Sequence, residues 1–526
     1  MACLASPRQF TLVLPLLVGT DLVLIVLRAT PLGRIVGPSL GIVVTWAATS
    51  SQAPAKGWAQ LDTSRISLKR RWPHPSLPDS RSWLRPLLIA GLLLVSGSLA
   101  FLAATRQATV VLILVIGAGL VLIGLLRPPL GLTAVALAGL IVPYSGPGGL
   151  NVTVILVALF LGSWLVQLAV SPGRPLLASS RPVRAVLAFV VIACLAFAVG
   201  QLPWFVFAPH APLVAQFGGF SIVVLSAGTF LLAAHLIREL QWLRRMTWAF
   251  LALAALSVLF RSVLPELGLN TQDWFRPMGS VFLIWLVAIA FSQAAYNRDL
   301  PVGWRLALGG LLLVTLYVQL VLKFADKSGW VPALVSIAAV VGFRSLRAGL
   351  ALVPVVGLVA WVVAPSVIGS DAYSISTRFE AWEIVAQIIR VSPILGLGFA
   401  NYYWYTPLFP LRGYLISFSS HNNYVDIVAQ AGLIGLACFV WFLWEVGRVG
   451  WRLRESAPIG FARAYVYGAL GALVGMVVAG MLGDWVLPFF YNIGLEGFRS
   501  SMLGFLFLGG LVSLEQLVSR RREKVS

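Results

Sequence analysis

One histidine and a few arginines, held within a single stretch, are the residues of this 526-residue chain best suited to chemistry. His421 lies in Ser419-Ser420-His421-Asn422-Asn423-Tyr424. An imidazole with its ordinary pKa of about 6.5 can take a proton from an attacking hydroxyl at neutral pH. The stretch from Ser376 to Gly435 also gathers Arg378, Arg390, Arg412, Glu380, Glu383 and Asp426 in a chain otherwise poor in charge. Guanidinium groups meet phosphate oxygens as a two-pronged fork, so such a cluster suits a phosphate or diphosphate head group. His74, His210 and His235 have no comparable surroundings and read as loop, cap or interface residues.

The elements that must position these groups are membrane helices. The chain is 59% hydrophobic and 11% charged, where soluble domains carry roughly 25% charged residues. Repeated apolar runs, many long enough for a span of about 18 residues or more, predict an all-α, polytopic transmembrane helix bundle of about 12–16 spans. The alternation of an outer-membrane barrel is missing. A net charge of +20 could suggest nucleic acid, but most Lys and Arg fall in short gaps between apolar runs, as the positive-inside rule requires. Cys3, Cys194 and Cys438 form neither a metal spacing nor a disulfide framework. The first apolar run lacks a following small-residue cleavage site and reads as an anchor.

Four parts are expected: anchor helices and a basic cytoplasmic linker over 1–85, a helix bundle over 86–366, an exoplasmic catalytic loop over 367–423, and C-terminal helices with a basic tail over 424–526. Gaps carrying Arg181 and Arg184, Arg238, Arg244 and Arg245, Arg298 and Arg305, Arg344 and Arg347, and Arg448 to Arg463 alternate with gaps poorer in positive charge. The alternation puts the gaps at 201–216, 263–278, 323–329, 367–423 and 483–500 outside. Arg276, Lys323, Lys327, Arg378, Arg390 and Arg412 are then cations on the less expected side.

Within the central loop, Thr377-Arg378-Phe379-Glu380 matches a capping box, which satisfies free amides where a helix begins. Phe379, Trp382, Val385 and Ile389 recur on one face, and Ser392-Pro393 marks a stop. The large exoplasmic loop is therefore expected to carry an amphipathic helix on the outer membrane surface. Arg378 would sit in its first turn, where the helix dipole favours a bound anion. Leu395-Gly-Leu-Gly-Phe399 reads as a turn, since it neither follows a strand nor has dinucleotide spacing. Tyr402, Tyr403, Trp404, Tyr405 and Phe409 suit either an interfacial belt or stacking against sugar rings.

The ordered set Arg378 and Trp382, then Pro393, Gly396 and Gly398, then His421, Asn422 and Tyr424, then Gly432, Leu433 and Gly435 resembles the core of the O-antigen ligase and polymerase superfamily. The resemblance implies a bacterial inner-membrane enzyme that takes a glycan from an undecaprenyl-diphosphate-linked donor. It would pass the glycan, on the exoplasmic side, to a hydroxyl of a lipid or glycan acceptor. It implies His421 as base and outer-loop cations on the diphosphate: Arg378, then Lys327 in Asp326-Lys327-Ser328-Gly329-Trp330, with Arg276 and Arg412. Trp382, Asn422 and Tyr424 would line the substrate. No nucleic acid, cofactor or metal is expected, because the outer gaps lack an Asp-x-Asp-like pair for a divalent ion. Two rivals differ in class. A lipid-glycan flippase would show internal repeats and midplane charges, and a metal-dependent transferase would show acidic residues in the first outer gaps.

Overall fold

The computed structural model describes residues 127–142, 146–170, 180–271 and 279–523, with Gly124 before them and Leu177 and Phe275 between them. The expected anchors and linker of residues 1–85 lie outside the described residues, as does Arg276. In chain order the helices are α1 (Pro128–Ile141), α2 (Val152–Val170), α3 (Arg181–Val199), α4 (Leu213–Leu236), α5 (Leu240–Val258), α6 (Ser280–Tyr296) and α7 (Val302–Tyr317). They continue as α8 (Lys327–Arg344), α9 (Leu346–Ile389), the single turn α10 (Tyr402–Tyr405), α11 (Asn423–Ser456), α12 (Phe461–Leu482) and α13 (Phe498–Glu523). π turns prolong α5 over Leu259–Val263 and α7 over Val318–Leu322. Among the described residues there is no β-strand, and eight helical stretches are long and apolar enough to cross a membrane. The chain is an all-α, multi-pass membrane bundle.

Helices apolar on every side belong in the interior. α4, α6, α12 and α13 are of this kind and form the centre: α13 lies on α4, while α12 lies against α6 and α8. α12 presents Gly468, Ala472, Gly475 and Ala479, and small residues of this sort let neighbouring backbones approach closely inside a bilayer. α11 packs on α3 along the flank.

α9 departs from expectation. It has 44 residues, so at 1.5 Å per residue it is about 66 Å long, roughly twice the hydrocarbon thickness of about 30 Å. It is longer than one crossing needs, and the expected division between residues 366 and 367 falls within it. The expected capping box at Thr377 does not form. A cap residue must leave the helical conformation, whereas Thr377 is inside α9 and its Oγ1 donates back to the Tyr373 carbonyl at 2.7 Å. Arg378 therefore owes nothing to a helix N-terminus. The buried face is also rotated from the expected one: Ala381, Ile384, Val385 and Ile388 pack with Leu397, Tyr402, Tyr405, Leu411 and Phe489, while Phe379 is exposed. This end of α9 is thus covered by the following loop along the Ala381–Ile388 face.

The glycines of the Pro-x-x-Gly-x-Gly and Gly-Leu-x-Gly segments meet each other. α11 is broken at Gly432, whose φ of 71° only glycine adopts freely. Segment 393–398 fills the break. Leu397 and Gly398 donate to the carbonyls of Ala429 and Gln430 at 2.9 and 3.1 Å. Leu433 and Ile434 donate to Pro393 and Ile394 at 2.9 and 3.3 Å. A Cβ on Gly432 would lie 2.0 Å from the Ile394 oxygen. Away from water every freed backbone group needs such a partner, so the two distant segments behave as one unit and fix where α11 begins.

Candidate active site

His421 sits just before α11 with φ 49°, a left-handed conformation that costs roughly 1 kcal/mol or more for a residue with a side chain. Both neighbours enforce it. On one side Ser420 donates from its hydroxyl to Asp426 Oδ1 at 2.6 Å, and its amide donates to the Tyr402 hydroxyl at 3.1 Å. The Ser420 carbonyl accepts from Trp382 Nε1 at 2.8 Å. Burial, then the Asp426 carboxyl, pushes the Tyr402 hydroxyl well above its ordinary pKa, so it remains a donor to Asp426 at 2.5 Å. On the other side Asn422 caps α11, its Oδ1 accepting from the amides of Tyr424 and Val425 at 2.9 and 3.3 Å.

Each residue of the motif after His421 has its own structural partner. Asn423 clasps the loop between α12 and α13: Oδ1 accepts from Val486 N at 2.8 Å and Nδ2 donates to the Leu487 carbonyl at 2.7 Å. Tyr424 donates to the Val477 carbonyl of α12 at 2.8 Å. The side chains of Asn422 and Tyr424, expected to line the substrate, are thus engaged in building the site, as is the indole nitrogen of Trp382.

That clasped loop supplies groups the sequence reading missed. Asn492 Nδ2 lies 3.1 Å from His421 Nδ1 and 2.6 Å from Asp484 Oδ1. Asp484 is buried, and its Oδ2 accepts from Phe489 N at 2.8 Å. Burial raises the Asp484 carboxyl above the usual range, against the hydrogen bonds from Phe489 and Asn492. Arg378 reaches the same place from α9, its Nη1 donating to the Leu482 carbonyl at 3.0 Å. His421 is open by surface area, yet the surrounding protein lowers its pKa below the ordinary 6.5; Asp484 opposes this and the Arg378 charge adds to it.

The aromatic run turns out to buttress this loop. Tyr402 stacks on Phe489 at 4.9 Å and Tyr403 on Tyr491 at 4.4 Å, while Trp404 Nε1 donates to the Tyr491 hydroxyl at 2.7 Å. Asn492 is the next residue.

The remaining expected cations are placed differently. Arg412 pairs with Glu380 at 3.0 Å, also bonds Ser376, and lies over the Tyr373 ring. It pins the loop to the turn of α9 that carries Arg378. Lys327 is the first residue of α8, and its neighbours Asp326, Ser328 and Gly329 line a cavity of about 340 Å³ at the same end of the bundle. Arg276 lies outside the described residues. Among the described residues no three His, Cys, Asp or Glu side chains come together as a metal-binding group.

The assembly offers a histidine with a depressed pKa, a guanidinium beside it, and an amide at its Nδ1 that is itself bonded to a carboxyl. Such a set can move a proton next to a developing negative charge. In comparison with known families, residues 278–440 match the O-antigen ligase family. No curated protein matches the chain. The matched stretch holds Arg378, Trp382, His421, Asn422, Tyr424 and both glycine segments, and it ends before Asp484 and Asn492. The expected superfamily is the one found.

Proposed function

We propose that this multi-pass protein, an O-antigen-ligase-type enzyme by its residues 278–440, transfers a glycan from undecaprenyl diphosphate to an acceptor hydroxyl on the exoplasmic face. The observation that carries the reading is the convergence of His421, Arg378 and the Asp484–Asn492 pair, drawn from α9, the residue before α11 and the α12–α13 loop. The exoplasmic assignment is supported by the opposite end of the bundle, where the helix ends bear Arg181, Arg238, Arg344, Arg463 and Arg520 to Arg522.

In this reading the acceptor oxygen attacks the anomeric carbon from the side opposite the diphosphate. A carbon–oxygen bond to the acceptor forms, the bond to the diphosphate breaks, and the configuration inverts. The acceptor proton passes to His421, and Arg378 offsets the charge that gathers on the departing diphosphate. A lowered pKa keeps His421 neutral, and so able to accept a proton, at physiological pH. The base needs a bare Nε2, which requires Nδ1–H to donate to the Asn492 amide oxygen. That orientation turns the amide oxygen toward Asp484 and calls for a proton on its carboxyl. Burial moves Asp484 in that direction. Lys327 and Arg276 are proposed as further contacts to the donor head group, and Arg412 as a support for Arg378. No metal is assigned a role.

The test is transfer by the purified protein from an extracted lipid-linked glycan to acceptor. His421→Ala is expected to lose at least about a hundredfold in rate, and chelator to leave the wild-type rate unchanged. Full activity in His421→Ala would refute the assignment of the base. Movement of the lipid-linked glycan between leaflets without any transfer would favour the flippase.

A further inference from the structure

On the far side of the α12–α13 loop from His421 lies the cavity of about 340 Å³, within the usual range of small-molecule sites, which begins near 300 Å³. The loop serves both compartments: Asp484 and Asn492 face His421, whereas Trp485, Ile493 and Glu496 line the cavity. Its other walls are the π turns of α5 and α7. In each, an amide reaches back five residues, Leu264 to Leu259 and, at 2.9 Å, Lys323 to Val318. π turns are rare and concentrate at functional sites. Here two of them, carrying Arg261 and Gln319, flank one space.

Three buried polar atoms on this lining have no hydrogen-bond partner: Ser280 Oγ, Gln319 Oε1 and Trp485 Nε1. Ser280 is only 3% exposed. An orphaned buried polar group costs on the order of 1–3 kcal/mol, so three around one space call for an occupant that meets them. Their chemistry selects it. Trp485 Nε1 can only donate and Gln319 Oε1 can only accept, while a serine hydroxyl does both. A diphosphate offers acceptors alone and would bring its charge against the carboxylates of Asp326 and Glu496 on the same lining. Two of the three described lining cations, Arg261 and Arg499 beside Lys323, are committed, with Arg499 in an ion pair with Glu496 at 3.2 Å and donating to the Val142 carbonyl at 3.1 Å. Arg261 donates to the Phe275 carbonyl. A ring bearing hydroxyl groups donates and accepts.

We propose that this cavity is a carbohydrate subsite, which holds sugar of the lipid-linked donor through Ser280, Gln319 and Trp485. The inference rests on the transfer reading for its source of sugar. It assigns recognition of the glycan to the α5–α6–α7 side of the loop, apart from Arg378 and with Lys327 adjoining it.

The experiment is equilibrium binding, in detergent, of two probes: undecaprenyl-diphosphate-linked glycan extracted from cells lacking this protein, and undecaprenyl diphosphate alone. Wild type is expected to bind the glycan-bearing lipid more tightly. Gln319→Leu and Trp485→Phe should each weaken that binding about three- to tenfold, as for one lost hydrogen bond, and leave the bare lipid within twofold. Retained bare-lipid binding shows that the variants are folded. Unchanged affinity of both variants for the glycan-bearing lipid overturns the subsite, as does an equal loss on both lipids or a wild type indifferent to the glycan. Selective binding of the glycan by a wild type that performs no transfer overturns the transfer reading and leaves the subsite standing. Binding of neither lipid overturns both.

Discussion

Two segments build the site, and they contribute in different ways. Residues 376–435 bring the proposed base and the guanidinium, together with the capped and interlocked backbone that aims them. Residues 483–492 bring no group that would exchange a proton with substrate, yet they supply what His421 Nδ1 touches. The first segment lies inside the O-antigen ligase match and the second beyond it. In the proposed mechanism the contrast separates the presence of a base from its tuning: the second loop would decide which nitrogen of His421 holds the proton.

Substitutions in the two segments should therefore fail differently. Arg378→Ala in the first is expected to cost on the order of 10²–10³ in kcat, the usual effect of removing one preorganised group that meets developing charge. Arg378→Lys should recover only part, because a point charge replaces a fork. Activity within a few-fold of wild type in Arg378→Ala would remove its catalytic role.

In the second segment, Asn492→Leu should lower kcat roughly tenfold to a hundredfold, less than loss of the base itself. Asp484 sharpens the point. In Asp484→Asn the new amide can donate to Asn492 and still accept from Phe489, so most of the activity should persist, whereas Asp484→Ala should resemble Asn492→Leu. Equal, severe loss in both Asp484 variants would show that the carboxylate charge itself is needed.

Asn423 joins the two segments, and its loss should read as stability. Asn423→Ala strands Val486 N and the Leu487 carbonyl, at a cost of about 1–3 kcal/mol, seen as a lower melting temperature in detergent. The smallest effect is expected at Arg412. Its pair with Glu380 is about one-third exposed on each side chain, and such pairs contribute about 1 kcal/mol or less. Arg412→Gln should leave transfer within a few-fold, and a hundredfold loss would return Arg412 to the substrate.

The bundle was legible because apolar runs and charged gaps survive any detail of packing. His421, Arg378 and the glycine segments were legible as an ordered pattern, although the pattern hid its reasons. Gly432 breaks α11 to admit residues 393–398, and Asn423 and Tyr424 clasp α12 and the loop after it. The start of α9 was not legible, since Thr377-x-x-Glu380 carries the letters of a cap while the helix runs through it. Asp484 and Asn492 stood in a gap with unusual polarity for this chain, but no spacing in the sequence could relate them to a histidine more than sixty positions earlier.

In the proposed mechanism His421, with its pKa lowered by its surroundings, acts as the base. Its most direct test is the pH dependence of kcat/KM for glycan transfer by wild type and by His421→Ala. A base must be unprotonated, so the wild-type rate should fall with decreasing pH through an apparent pKa below 6.5, and the residual rate of His421→Ala should show no such limb. An acid limb at or above 6.5, or the same limb in the alanine variant, would contradict the account.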